Sequence, residues 1–164
     1  MPGYYSGMID LTAGQDYSVL FKYNNVTKLD TSIKGVYPPN ITYPDIYDVG
    51  QATTLNWTLP ASNQYQFVGV SSYYNNGTNE QSDDWVKQLS GASRNFTIPA
   101  NPVQNFGSPT QYYIWLDQMN YQLLQRVALM VFGYSGHNYG GKQAEMNPDK
   151  IAQRAEKQLL SILQ

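Results

Sequence analysis

The chain has 164 residues and a formal net charge of −2. That length is one ordinary domain, and ten Lys and Arg against twelve Asp and Glu leave no basic patch for nucleic acid. The absence of cysteine excludes a disulfide framework and thiolate metal sites. Only 13% of residues are charged, about half the usual share of roughly 25%. Fifteen tyrosines, together with Asn, Gln, Ser and Thr, supply the remaining polarity. Such a surface favours strands and contact interfaces over the Lys- and Glu-rich faces of cytosolic enzymes.

The opening Met1-Pro2-Gly3-Tyr4-Tyr5-Ser6-Gly7 has neither the basic start nor the apolar stretch of a secretory signal, so synthesis in the cytoplasm is expected. In 16–23, Tyr17, Val19, Phe21 and Tyr23 fall on one strand face. Asn24-Asn25 supplies a turn, and 28–36 is a second strand, ended by Tyr37-Pro38-Pro39-Asn40. Residues 51–59 alternate again. In 64–73, Tyr65, Phe67 and Tyr73 oppose Val68 and Val70. Asn75-Asn76-Gly77-Thr78-Asn79 is a strong turn.

Ser82-Asp83-Asp84 followed by Trp85-Val86-Lys87-Gln88-Leu89 predicts one or two helical turns, with Ser82 as the cap and acids in the first turn. A short strand over 94–98 and a proline-rich loop over 99–110 follow. Residues 111–119, with Tyr112, Tyr113, Ile114, Trp115 and Leu116, predict a buried strand. Residues 123–134 suit either a buried strand or a short buried helix, and their aromatic and β-branched end favours strand. The longest apolar run, Val127 to Phe132, is far below the ~20 residues of a membrane-spanning helix. No transmembrane segment is expected.

Residues 135–147 read as a glycine-rich loop. Then Asn147 caps a helix over 148–163, with Pro148 at its first position. Ile151, Ala155, Leu159 and Ile162 line one face, and Lys150, Arg154 and Lys157 are expected to face away. That apolar face docks on the chain's own domain or on a neighbouring molecule, which makes these four residues the candidate assembly contacts. The whole reads as a single β-sandwich domain over 1–164: strands over 1–134, loop over 135–147, helix over 148–163. The expected class is mainly β, an antiparallel sandwich or jelly roll with a C-terminal amphipathic helix.

Chemistry is sparse. The single histidine, His137, has no acid within seven residues, and Ser135-Gly136-His137 lacks the frame of a nucleophile elbow. No catalytic residue, cofactor or metal is expected. Asp45 with Asp48, or Glu80 with Asp83 and Asp84, are the weak candidates for an oxygen-ligated calcium ion, and neither fits an EF-hand loop. A small glycosidase needs only two carboxylates. Asp117, embedded in an aromatic strand, is the acid that burial would shift; a strand-end acid with a hydrogen-bond partner is the plainer expectation. A carbohydrate- or receptor-binding module is the other alternative, marked by Tyr73, Tyr74, Trp85 or Tyr139 on one flat patch.

Asn-x-Thr occurs five times, beginning at Asn25, Asn40, Asn56, Asn76 and Asn95, where chance placement gives about one. Each is a glycan acceptor by sequence. Asn25, Asn40 and Asn76 fall in turns and are the candidate acceptors. Asn56 and Asn95 lie inside predicted strands, where strand alternation is the stronger explanation.

The signal-less start, the roughly eight Tyr/Thr/Asn-rich strands from Tyr4 to Tyr134 and the closing helix from Pro148 to Leu163 together resemble small single-jelly-roll capsid proteins. These are proteins of icosahedral viruses and phages with internal membranes. The resemblance is architectural and transfers no functional residue. It implies a virion structural protein that is not an enzyme and needs no cofactor. Such a protein oligomerises with itself and with other virion proteins and does not bind nucleic acid. Loops such as 37–47 and 99–110 would then contact neighbours.

Overall fold

The computed structural model describes residues 11–108, 110–124, 127–140 and 148–163. The expected strand near Tyr4 and the expected cap Asn147 lie outside the described residues. Among the described residues nine strands and one helix follow in order: β1 (Asp16–Tyr23), β2 (Val26–Lys34), β3 (Asn40–Thr42), β4 (Thr53–Thr58), β5 (Tyr65–Asn75), β6 (Glu80–Ser90), β7 (Asn95–Ile98), β8 (Thr110–Leu124), β9 (Val127–Tyr139) and α1 (Pro148–Leu163). The chain is therefore mainly β with one helix, as the sequence predicts.

Every described strand pairing is antiparallel. The strands form a two-stranded sheet (β1-β2), a three-stranded sheet (β3-β4-β7) and a four-stranded sheet (β6-β5-β8-β9). The chain passes from the three-stranded to the four-stranded sheet after β4, returns after β6 and crosses again after β7.

Two apolar cores flank the four-stranded sheet. On one face Val68, Val70, Ile114 and Leu116 meet Leu55, Trp57 and Ile98 of the three-stranded sheet. On the other, Phe67, Trp115 and Met119 lie under α1, with Leu159 and Ile162 packed against them. Covering both faces explains why 66–70 and 114–120 are buried without alternation. Each large apolar side chain so enclosed contributes about 1.5–3 kcal/mol.

Buried amides fix the crossings. Asn63 accepts from the Tyr37 backbone N–H at 2.7 Å and donates to the Tyr37 carbonyl at 2.9 Å. Gln66 donates from Nε2 to the carbonyls of Gly91 at 2.9 Å and Ser93 at 3.0 Å, where the chain leaves β6 for β7. Both turns predicted from asparagine are present. Asn24 and Asn25 have φ of 50° and 60°, the two positive values of the turn that joins tightly twisted strands.

Two expectations are corrected. Residues 82–89 are not helical; they belong to β6, which pairs with β5 over its full eleven residues. Trp85 and Leu89, four apart, share a strand face as readily as a helix face. Backbone pairing along β5 outweighs a local capping signal. Nor is 135–139 a loop: β9 continues to Tyr139. Its glycines serve close packing. A Cβ at Gly136 would sit 2.1 Å from the Tyr113 hydroxyl, and one at Gly133 would sit 2.8 Å from Val36. The remainder of the expected loop, 141–147, lies outside the described residues.

Candidate assembly surface

β1 and β2 form an arm. Its base rests on the ends of β8 and β9: Ile33 is buried, Asn120 donates to the Lys34 carbonyl at 3.1 Å, and Thr31 donates to Gln122 at 3.2 Å. Beyond that base the arm leaves the body, and residues 20–28 are all exposed. Leu20, Tyr23 and Val26 are 55%, 60% and 53% exposed, and Phe21 is also exposed. The tip thus shows large apolar side chains to solvent, on a two-stranded ribbon that is at best marginally stable alone. The sequence carries a signal for this that periodicity misses: Val19-Leu20-Phe21 is apolar on both faces, which one-sided burial does not require.

The four helix residues expected at an interface all turn toward the chain's own sheet. Ile151 and Ala155 are buried, and Leu159 and Ile162 pack on the Phe67-Trp115-Met119 core. The outward helix side shows Leu160 and Leu163 instead.

Beneath α1 is a polar lock. Asp117 is fully buried at the middle of β8, not at a strand end. Arg154 turns inward rather than away. Its Nε lies 2.8 Å from Asp117 Oδ2, and its Nη2 donates to Oδ1 at 2.8 Å. Gln158, one turn on, donates to Oδ2 at 2.9 Å. The guanidinium also stacks 4.4 Å above the Trp115 ring. Burial pushes the Asp117 carboxyl up to about 7, with Arg154 and Gln158 pulling against it. This fork-shaped ion pair ties the helix to the sheet and uses the carboxylate fully.

The remaining candidate residues are dispersed. His137 stacks on Tyr43 with ring centroids 5.5 Å apart and meets Tyr139 edge-on at 4.7 Å. Tyr43 shares a hydrogen bond with Ser135 at 3.1 Å. Burial raises the Tyr43 phenol well above its ordinary range. Tyr139 is buried, with its hydroxyl donating to the Pro44 carbonyl at 2.9 Å. Trp85 packs beside Phe96. Tyr73, Tyr74, Trp85 and Tyr139 therefore do not form the one exposed patch that sugar stacking needs.

Asp48 accepts from the Gly50 N–H at 2.9 Å, Asp83 accepts from the Gln104 N–H at 2.8 Å, and Glu80 accepts from the Tyr73 hydroxyl. Among the described residues no group of three His, Asp or Glu side chains is placed to hold a metal ion. A cleft of about 590 Å³ between the ends of β5, β6 and β8 is lined by Gln64, Tyr65, Gln88 and Tyr121 and carries no acid. Among the described residues no helix is long and apolar enough to cross a membrane.

The expected glycan acceptors are exposed. Asn25 lies at the arm's turn, Asn40 at the start of β3, and Asn76 in the β5–β6 turn. Asn56 and Asn95, set aside on sequence as strand residues, are exposed as well.

Comparison with family models, curated proteins and solved structures finds no match to this chain.

Proposed function

We propose that the chain is a virion structural protein, a capsid or capsid-associated subunit of the single-jelly-roll kind, working through protein–protein assembly with copies of itself and other virion proteins. The observation that carries this reading is the β1-β2 arm. Its tip exposes Leu20, Tyr23 and Val26 while its base is anchored to the body. Apolar side chains on a projecting ribbon lose their contact with water only when a neighbouring molecule covers them. A ribbon edge also offers unpaired backbone groups to a partner strand. The sparsely charged surface suits packed contacts.

The test is molar mass by light scattering across a wide concentration range, on the natural sequence and on Leu20→Lys/Val26→Lys. The natural chain forms a defined oligomer or grows with concentration. The substituted chain stays monomeric with an unchanged melting temperature. A natural chain that remains monomeric throughout, or an arm variant that assembles as well as the parent, overturns the proposal.

A further inference from the structure

The repeated Asn-x-Thr pattern has a direction that strand alternation does not explain. Placing Asn and Thr on one strand face favours Thr-x-Asn as much as Asn-x-Thr. The chain has five Asn-x-Thr and a single Thr-x-Asn, at Thr54-Leu55-Asn56. Nor does it contain any Asn-x-Ser, although serine is more frequent than threonine. An acceptor sequence for an oligosaccharide is directional: the hydroxyl must follow the amide by two positions.

The fold puts all ten of these Asn and Thr side chains on the surface. Asn25 stands in the arm's turn with φ of 60°. In the β5–β6 turn the Thr78 hydroxyl donates to Asn76 Oδ1 at 3.0 Å, which joins the two functional groups of the triplet. The other three triplets converge on the outer face of the β3-β4-β7 sheet. Their register sets Asn40 across from Thr58, Thr42 across from Asn56, and Asn56 across from Asn95. Thr54 and Thr97 complete the face and share a hydrogen bond at 2.9 Å. Every outward residue of these strands is thus Asn or Thr, with no charge to guard the β3 and β7 edges against strand addition.

We propose that this chain is an N-glycoprotein, modified at Asn40 and Asn76 and at one of the pair Asn56 and Asn95, while Asn25, between Tyr23 and Val26 on the tip that assembly covers, stays bare. The co-substrate is a lipid-diphosphate-linked oligosaccharide, delivered by a membrane-bound oligosaccharyltransferase on the non-cytoplasmic side of a membrane, which the chain must reach after its synthesis. Asparagine Nδ2 forms a bond to the sugar's anomeric carbon. The bond from that carbon to the diphosphate oxygen breaks, and the lipid diphosphate leaves with the electron pair. The amide proton passes to a base of the transferase. Cross-strand partners hold their Cβ atoms about 4.5–5.5 Å apart, too close for two branched glycans. Asn56 and Asn95 therefore exclude one another. The attached glycans shield the uncharged face and its edges, the role that lysines fill on other edge strands.

The experiment is intact-mass measurement and glycopeptide mapping of the chain isolated from the cells that naturally make it, with a Thr97→Val variant made in the same cells. Valine keeps the β-branched shape and strand preference while removing the hydroxyl. The expected mass exceeds 18.5 kDa, with oligosaccharide on the peptides holding Asn40 and Asn76 and on either Asn56 or Asn95 in each molecule. Thr97→Val abolishes modification of Asn95 and raises occupancy at Asn56. An unmodified mass of 18.5 kDa overturns the proposal. Continued modification of Asn95 in Thr97→Val overturns the directional assignment, and molecules carrying glycans on both residues overturn the mutual exclusion.

Discussion

Gly69 lies directly across from Trp115, and the indole occupies the space that a Cβ at Gly69 would fill, 2.1 Å from its Cζ2. Trp115 pairs on its other side with Gly136, so glycine flanks the ring on both neighbouring strands. The flat ring then serves as the platform for Arg154. Gly69→Ala forces the indole up into the guanidinium and is expected to cost about 1–3 kcal/mol, as overpacking does. Chemical denaturation measures it, and near-ultraviolet circular dichroism should report the displaced tryptophan. An unchanged midpoint would mean that the ring has room to move.

Asp117 makes stability depend on pH in an uncommon direction. Its folded pKa of about 7 lies above the ordinary 3.8. The fold therefore favours the protonated carboxyl. This contribution is complete below about pH 4 and is lost as pH rises through 7. The melting temperature is expected to fall between pH 5 and pH 8, and Asp117→Asn, neutral throughout, should flatten that slope. A wild-type melting temperature that rises over the same interval contradicts the assignment.

Removing the partner is worse than removing the charge. Arg154→Met leaves a buried carboxyl facing Gln158 alone. Breaking a buried pair from one side typically costs about 3–5 kcal/mol. The Asp117 pKa should climb further, because the cation that opposes burial is gone. Arg154→Lys keeps the charge but loses the fork and the stacking plane, so it should fall between the two. Urea denaturation, with carbon-detected titration of the Asp117 carboxyl, checks both statements.

Helix and arm should separate cleanly in deletion experiments. Truncation before Pro148 uncovers Phe67, Trp115 and Met119 and is expected to give a destabilised chain that binds a hydrophobic dye. Shortening the arm tip by removing Lys22 to Thr27 should leave the body's melting temperature unchanged, because those residues are exposed. A truncated chain as stable as the parent would show that α1 adds nothing to the core.

The central strand β5 was legible in the sequence because a period of two assigns its side chains to faces even where both faces are buried. Tyr65 to Tyr73 divides into the two faces that the structure shows, Phe67 toward α1 and Val68 and Val70 toward the other sheet. The errors have physical causes. Trp85 and Leu89 satisfy two geometries at once, and only the partner strand β5 decides between them. Gly133 and Gly136 suggest a loop, yet they make room for Val36 and Tyr113, which are distant in sequence. Arg154 was expected on the solvent side since no helical pattern reveals a carboxylate buried in a strand 37 residues earlier. The arm's exposed tip was hidden for the opposite reason: apolar residues on a strand are read as buried, and only the three-dimensional structure shows Leu20, Tyr23 and Val26 more than half exposed.

The crossings between sheets also govern how the chain is made. The arm is a local hairpin and closes outward from its turn, from Tyr23 with Val26 to Asp16 with Lys34. The central sheet is different: β5 waits for β8, whose Trp115 lies 46 residues beyond Gly69, and such long loops close slowly. Even then Asp117 stays open to water until α1 has been synthesised and has brought Arg154 and Gln158. During translation the arm tip is thus ready for contact before the body is closed. Any association it promotes on a polysome precedes completion of the fold.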